Sequence, residues 1–424
     1  MSTVLDALTE WMPRQRWFAG KGHTPRLRML TAIPSDHPDT TTYLVLDYGG
    51  PVPTLYHVPI VAVADASGLP PATIVAASTG RTLVDGAHHA AYTLQLANAV
   101  GIDSAAVTGS SVMKGEQSNT SIVYAIDGVP AVIAKLFRTL HHGENPDVTL
   151  QSVLSAAGSP YVPRFIGHTE AEWPDSGRES GTATGTIAFA QEYLAGVSDG
   201  WQLALGAATR DESFVADAHA LGVATAKVHA TLALEMPTVP ITPEAIAEQT
   251  DSWRARLATT AAEVPAVAAL SEAIEAVYAS AADADWPVLQ RIHGDLHLGQ
   301  ALHVAERGWL LVDFEGEPLR PMSERDRPDV TLRDVAGMLR SFSYAAGVAG
   351  GARDEWELAC RRAYLEGYAE ASGAPIDDVA SLLTAFELDK AVYEALYEAR
   401  NRPTWLHVPM HAITAMLAAD TLSD

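Results

Sequence analysis

Cysteine is nearly missing from this chain. Cys360 is the one thiol among 424 residues, which excludes an intrachain disulfide framework and any cysteine-based metal site. Positive charge is scarce as well, with 28 Lys and Arg against 52 Asp and Glu and a formal net charge of −24. A surface of that sign repels nucleic acid and anionic membranes, whereas small or cationic partners suit it. Long apolar runs are also lacking: no segment approaches the roughly 20 residues that a membrane-spanning helix needs. The opening stretch MSTVLDALTEWMPRQRW has no basic region followed by an apolar one. The expectation is a cytoplasmic protein that binds neither nucleic acid nor membrane, its oligomeric state open with a monomer favoured.

Apolar bulk, by contrast, is plentiful. Hydrophobic residues make up 48% of the sequence, enough for a large interior, and 424 residues exceed what one compact core usually holds. TYLVLDY (42–48) and TLYHVPIVAVA (54–64) read as strands joined by GGPVP, and GAHHAAYTLQLANAVG (86–101) as a helix ended by glycine. VTGSSVM, TSIVYAI and AVIAKLF, between 107 and 137, predict two successive hairpins. ENPDVTLQSVLSAAG (144–158) predicts a helix, EAEWPDSGRESGTATG (170–185) a loop, and TIAFAQEYL (186–194) a further strand. Beyond this the pattern is helical. Thr209 and Glu212 form a capping box ahead of 214–232, 243–283 is alanine-rich and amphipathic, and 287–316 is a small β insertion. The expected division is an α+β unit at 1–103, a β-rich unit at 104–196 and a mainly helical unit at 197–424.

The β insertion carries HGDLHLGQ (293–300). His293 and His297 are four apart and would share a helix face, as in zinc hydrolases, but that motif needs Glu directly after the first His, where Gly294 stands. Gly294 and Gly299 also oppose a helix here. Phosphoryl transfer accounts for more of the residues, because its transition state asks for positioning and charge compensation rather than a covalent nucleophile. Asp295 can meet an acceptor hydroxyl, and Gln300 can offer a neutral oxygen to Mg²⁺. Asp313, after the strand WLLV and at the head of DFEGEP, can bind a Mg²⁺ that bridges nucleotide phosphates. Lys135, in the strand AVIAKLF, can reach those phosphates. Each is ordinary alone, since a strand lysine is usually a solvated edge charge; their order and combination carry the reading.

These segments, together with PRQRWFAGKG (13–22), GEQSNTSIVY (115–124), LRDVAGMLRSFSYAA (332–346) and ELDKAVYEALYEARNRPTWL (387–406), resemble the aminoglycoside phosphotransferase-like, protein-kinase-like sugar kinases. Bacterial maltokinases and actinobacterial glucosamine kinases are the most similar group. The resemblance implies an α+β, bilobal kinase-like fold with an N-terminal cap, and ATP and Mg²⁺ as cofactors. Position by position it implies Gln117, Ser118, Asn119 and Thr120 as the loop covering the phosphates and Lys135 as the nucleotide lysine. Gln191, Glu192 and Tyr193 then contact adenine, Asp295 is the catalytic base, and Gln300, Asp313 and Glu315 lie at the metal. Thr149 stands where maltokinases carry a glutamate that could pair with the lysine, which leaves Asp147 or phosphate for Lys135. Asn401 stands where they often carry histidine.

The same resemblance places the acceptor in the helical lobe near Asp295. The candidates are His297, Asp389, Tyr393, Glu394, Tyr397, Glu398, Asn401 and Trp405, several of which keep three- and four-residue helical spacings; Tyr393 and Tyr397 could equally be core. Trp405 could stack on a sugar face, and Glu394 could hold the ammonium of an aminosugar. The Thr149 and Asn401 departures favour glucosamine as acceptor, giving glucosamine 6-phosphate. A maltokinase making maltose 1-phosphate, an aminoglycoside phosphotransferase and a non-catalytic pseudokinase are the alternatives.

Overall fold

The computed structural model describes residues 2–78, 80–113, 118–317, 320, 322–351 and 353–420; Gln117 of the expected phosphate loop lies outside them. Two compact units are present. One comprises the chain up to Ser152 with Pro163–Ala195, the other Val153–Val162 with the chain from Gly196 onward. Helix and strand make up 47% and 24% of the chain, and they are segregated rather than alternating, so the class is α+β. No helix among the described residues is long and apolar enough to cross a membrane.

The first unit holds two antiparallel sheets. One contains β1 (Leu27–Pro34), β2 (Thr40–Asp47), β3 (Thr54–Val63), β4 (Ile74–Ser78) and β5 (Arg81–Asp85), in the order β1-β2-β3-β5-β4. Trp11 at the end of α1 (Ser2–Trp11) packs with Trp17, Phe18 and Tyr56 into its core. The second sheet contains β6 (Val107–Val112), β7 (Asn119–Ile126), β8 (Val129–Phe137), β10 (Phe165–Pro174) and β11 (Thr182–Glu192), while the short β9 (Thr139–Leu140) pairs with β3 of the first. The β7–β8 hairpin is set by Asp127-Gly128, both at positive φ, the residue pair that a two-residue primed turn favours. The expected loop at 170–185 shrinks to 175–181, because β10 and β11 extend into it. β10 is an edge strand whose alternate residues face solvent, so its polar sequence reads as a loop. α2 (Ala90–Ala99) and α3 (Pro146–Ala156) form as predicted. Where the sheets meet, the fully buried Arg138 donates to Asp85 at 2.7 Å and to Thr120 at 2.8 Å.

The second unit is mostly helical, with one three-stranded sheet of β12 (Ser198–Asp199), β13 (Ala301–Val304) and β14 (Gly308–Leu311). Its helices are α4 (Gly200–Arg210), α5 (Val215–Glu235), α6 (Pro243–Glu263), α7 (Pro265–Ala268), α8 (Ser271–Ala282), α9 (Met322–Arg325), α10 (Leu332–Ala349), α11 (Asp354–Ser372), α12 (Ala380–Asn401) and α13 (His407–Asp420). The 243–283 stretch is broken where Pro265 opens a new helix. The capping box does not form. Thr209 lies inside α4 and donates back to the Leu205 carbonyl, Glu212 pairs with Arg210, and α5 starts after Phe214. α5 and α11 pack backbone to backbone, because a Cβ on Gly222 or Gly367 would collide with a carbonyl of the facing helix.

Candidate active site

The loop His293–Gln300 is held from below by one buried carboxylate. Asp334, in the first turn of α10, accepts the N–H groups of His293 and Gly294, each at 2.8 Å, and lies 2.9 Å from His229 Nε2. His229 Nδ1 lies 3.0 Å from the Tyr368 hydroxyl, so the buried chain continues into α11. Burial alone would raise the Asp334 pKa. The His229 hydrogen bond and charge, the neighbouring His293 and the Gly294 N–H outweigh it and hold the pKa below the ordinary carboxylate value. Gly294 has φ +84° and faces the Gly316 backbone, so this sharp turn requires glycine. His293 donates from Nε2 to the Val312 carbonyl at 2.9 Å, tying the loop to the end of β14. Its Nε2 is thereby committed to the scaffold of the loop.

This anchoring presents Asp295, Gln300 and Asp313 together in the second unit. Gln300 donates its amide to Asp313 Oδ2 at 2.9 Å, which ties the two side chains together. Asp313 sits at φ +68°, a rare conformation for a non-glycine residue and a mark of functional sites. Its carboxylate has an oxygen within 4.8 Å of one on Glu315. Two carboxylates and an amide oxygen form the donor set that a hard divalent cation takes.

In the first unit, Lys135 on β8 lies 2.9 Å from Asp147, a buried residue in the first turn of α3. Thr149 donates instead to Glu144 at 3.0 Å, so the lysine's carboxylate partner is supplied two residues before the position expected from the maltokinases. Ser118 is exposed, and Asn119 Nδ2 lies 3.4 Å from its hydroxyl. The Thr120 hydroxyl accepts from Arg138 and faces the interior. Gln191 accepts from Gln151, and the Glu192 carboxylate accepts the Arg164 N–H at 3.0 Å. The N–H groups of Glu192 and Tyr193 donate to Arg164 and Ala131, so any contact of these two to a base would run through other groups.

Next to Asp295 the second unit opens into two cavities that share Lys390. The smaller is lined by Asp295, Lys390, Asp389, Tyr393, Glu317 and Arg256. Asp389 lies 3.0 Å from Arg256, and burial raises its pKa against the pull of that cation. The larger is a cleft of about 590 Å³ whose walls include Asp199, Trp201, His297, Arg340, Glu394 and Trp405. The fold therefore brings His297, Glu394 and Trp405 to the cleft, and Asp389 and Tyr393 to the cavity beside Asp295. Tyr397, Glu398 and Asn401 line neither. Tyr397 is 43% exposed, the Asn401 amide donates to the Tyr397 carbonyl, and Glu398 is buried between Tyr344 at 3.1 Å and Arg402 at 2.6 Å.

Charge pairing inside the cleft bears on the expected role of Glu394. Glu394 is bound by Arg340 at 2.8 Å, so it is not an unpaired receptor for an ammonium. Arg340 is 1% exposed, and its Nη1 has no hydrogen-bond partner. Arg402 stacks over Trp405 at 4.5 Å. Asp199 caps α4 by accepting the Gln202 N–H at 2.7 Å, and among the described residues it forms no ion pair, although Arg340, Lys390 and Arg402 line the same cleft. The His297 pKa is lowered by burial, which favours a neutral ring, and its Nδ1 accepts the Gly299 N–H at 3.0 Å. Asp199, Trp201, Asp334, Arg340 and Lys390 are absent from the candidates read in the sequence. Lys390 alone carried a signal, its helical spacing with Glu394 and Glu398.

Residues 11–88 match the family model of the maltokinase N-terminal cap domain. A glucosamine kinase of Streptacidiphilus jiangxiensis is 29% identical over 340 residues, 74% of each chain. One of Mycolicibacterium smegmatis is 28% identical over 337 residues, 72% of this chain and 79% of that protein. Among solved structures, a glucosamine kinase superposes with TM-score 0.69 at 22% identity, covering 97% of this chain and 98% of that one. A glucosamine kinase in complex with glucosamine, ADP and inorganic phosphate superposes with TM-score 0.67 at 21% identity, covering 96% and 99%. The resemblance read from the sequence thus holds: a capped α+β kinase-like fold, shared with glucosamine kinases along nearly the whole chain.

Proposed function

We propose that this capped relative of the glucosamine kinases transfers the γ-phosphoryl group of Mg·ATP to a free sugar, with glucosamine as the acceptor and glucosamine 6-phosphate as the product. The observation that carries the reading is the place of Asp295. It stands on the pinned loop that also holds Gln300, and 3.4 Å from Lys390, which lines the acceptor-sized cleft. A sugar hydroxyl entering from the cleft would hydrogen-bond to the Asp295 carboxylate, which takes its proton as the new O–P bond forms and the β–γ bridge breaks. Mg²⁺, held by Gln300, Asp313 and Glu315, would neutralise phosphate charge. Lys135, held by Asp147, would meet the nucleotide phosphates.

Charge, rather than size, argues for an aminosugar. A cleft of about 590 Å³ admits a mono- or a disaccharide. Glu394 and Glu398 are each paired with an arginine, so Asp199 is the carboxylate left to receive an ammonium. One such carboxylate suits glucosamine better than a polycationic aminoglycoside or an uncharged maltose. Lys135, Asp295, Gln300 and Asp313 together disfavour a non-catalytic role. The test is ADP release with ATP, Mg²⁺ and a panel of sugars. Turnover with maltose equal to or better than that with glucosamine overturns the acceptor assignment, and no ADP release with any sugar overturns the kinase reading. Asp295→Asn should retain ATP binding and lose roughly 10²- to 10⁴-fold in transfer.

A further inference from the structure

We propose that Lys390 is a positioning residue of the transfer step, its ammonium fixing the Asp295 carboxylate at the head of the acceptor cleft; the proposal rests on Asp295 as the base. Lys390 comes from α12, nearly 100 residues after the loop, and its Nζ lies 3.4 Å from Asp295 Oδ1, both side chains largely withdrawn from solvent. It is the residue common to the small cavity beside Asp295 and the larger cleft. The position is confined. Gly337 lets α10 come up against the Leu296 carbonyl, and a Cβ there would meet that oxygen and approach the Lys390 ammonium to 4.0 Å.

The electrostatics agree with this placement. Burial disfavours the ammonium, but Asp295, Glu317 and Glu394 together outweigh it and raise the Lys390 pKa, so the charge persists. Glu394 is already held by Arg340, which leaves Asp295 as the carboxylate Lys390 contacts directly. Withdrawing such a pair from water is costly, and an apolar residue would usually fill a merely structural site at lower cost. A cation held beside a carboxylate base instead limits its rotamers and aims its second oxygen at the hydroxyl to be deprotonated.

The experiment compares wild type, Lys390→Gln and Lys390→Arg with ATP, Mg²⁺ and glucosamine, and follows ATP binding and thermal unfolding in each. Expected is a roughly 10- to 100-fold lower kcat for Lys390→Gln with ATP affinity unchanged, and recovery of most of that loss in Lys390→Arg. A kcat for Lys390→Gln within about threefold of wild type, a loss confined to ATP affinity, or an arginine variant no better than glutamine would overturn the proposal. If wild type itself turns over no sugar, the kinase reading falls; if wild type turns over and Lys390→Gln does so equally well, only the role of Lys390 falls.

Discussion

Replacing Asp334 by Asn tests whether one buried carboxylate holds the loop that carries the proposed base. Its two oxygens serve three groups: Oδ1 takes the Gly294 N–H, and Oδ2 takes the His293 N–H and faces His229. Asn keeps the shape but offers a single acceptor oxygen, so whichever way the amide turns, its NH₂ meets one backbone N–H head on. One buried donor is then left unsatisfied, at about 1–3 kcal/mol, and the remaining bonds lose their charge assistance. A total near 2–4 kcal/mol follows, which for a unit of this size lowers the melting temperature by roughly 5–10 °C. Because the loop carries Asp295, the proposed base, kcat should fall about 10²-fold or more as that carboxylate is misplaced. The sign of the pH dependence is set as well. The folded pKa of Asp334 lies below its unfolded value, so its contribution is fully present above about pH 4 and is lost as pH falls through the folded value. Melting curves should show a constant gap between wild type and Asp334→Asn from about pH 5 to 8 that narrows below about pH 4. An Asp334→Asn variant that melts with wild type and keeps its kcat within about twofold would refute this account of the loop.

Other perturbations separate the remaining parts. Asp199→Asn preserves the helix cap, since Asn caps as well as Asp, but removes the charge; kcat/KM for glucosamine should fall roughly tenfold relative to glucose, and an unchanged ratio would place the ammonium elsewhere. Asp147→Asn should raise the KM for ATP about tenfold by weakening the hold on Lys135, with the KM for the sugar unmoved; an equal effect on both substrates would count against the pair as a nucleotide device. Chelation with EDTA should abolish transfer, and added Mg²⁺ should restore it in wild type but not in Asp313→Ala, as isothermal binding of Mg·ATP would also show. Arg340→Met together with Glu394→Met removes the cleft's buried ion pair without leaving a lone charge; the acceptor KM should rise while the ATP KM stays, and an unaltered acceptor KM would take Arg340 out of the binding wall.

The features legible in the sequence are those in which a few neighbouring residues suffice. Asp127-Gly128 names its own hairpin, Gly294 announces a turn rather than a helix, and Asp313 follows its strand by one intervening residue. HGDLHLGQ could be read as a loop presenting Asp295 and Gln300 because all of its geometry lies within eight residues. Where neighbours mislead, the reading failed locally. Thr209 and Glu212 have the spacing of a cap yet sit at the end of α4, and the polar face of the edge strand β10 imitates a loop.

The cleft was beyond that reach for a physical reason. Its walls come from residues 199–202, 297–299, 337–344 and 390–405, brought together by helix packing that no short-range pattern encodes. Which charges remain open to a ligand is likewise a tertiary matter. Glu394 had the right spacing to be a receptor, but Arg340 from another helix neutralises it, while Asp199, which the sequence did not single out, has no ion-pair partner among the described residues. Sequence alone therefore supplied the proposed chemistry, through the order and types of Lys135, Asp295, Gln300 and Asp313. Only the folded chain decided what holds that chemistry in place, through Asp334 and Lys390, because desolvation and charge pairing are properties of neighbours in space.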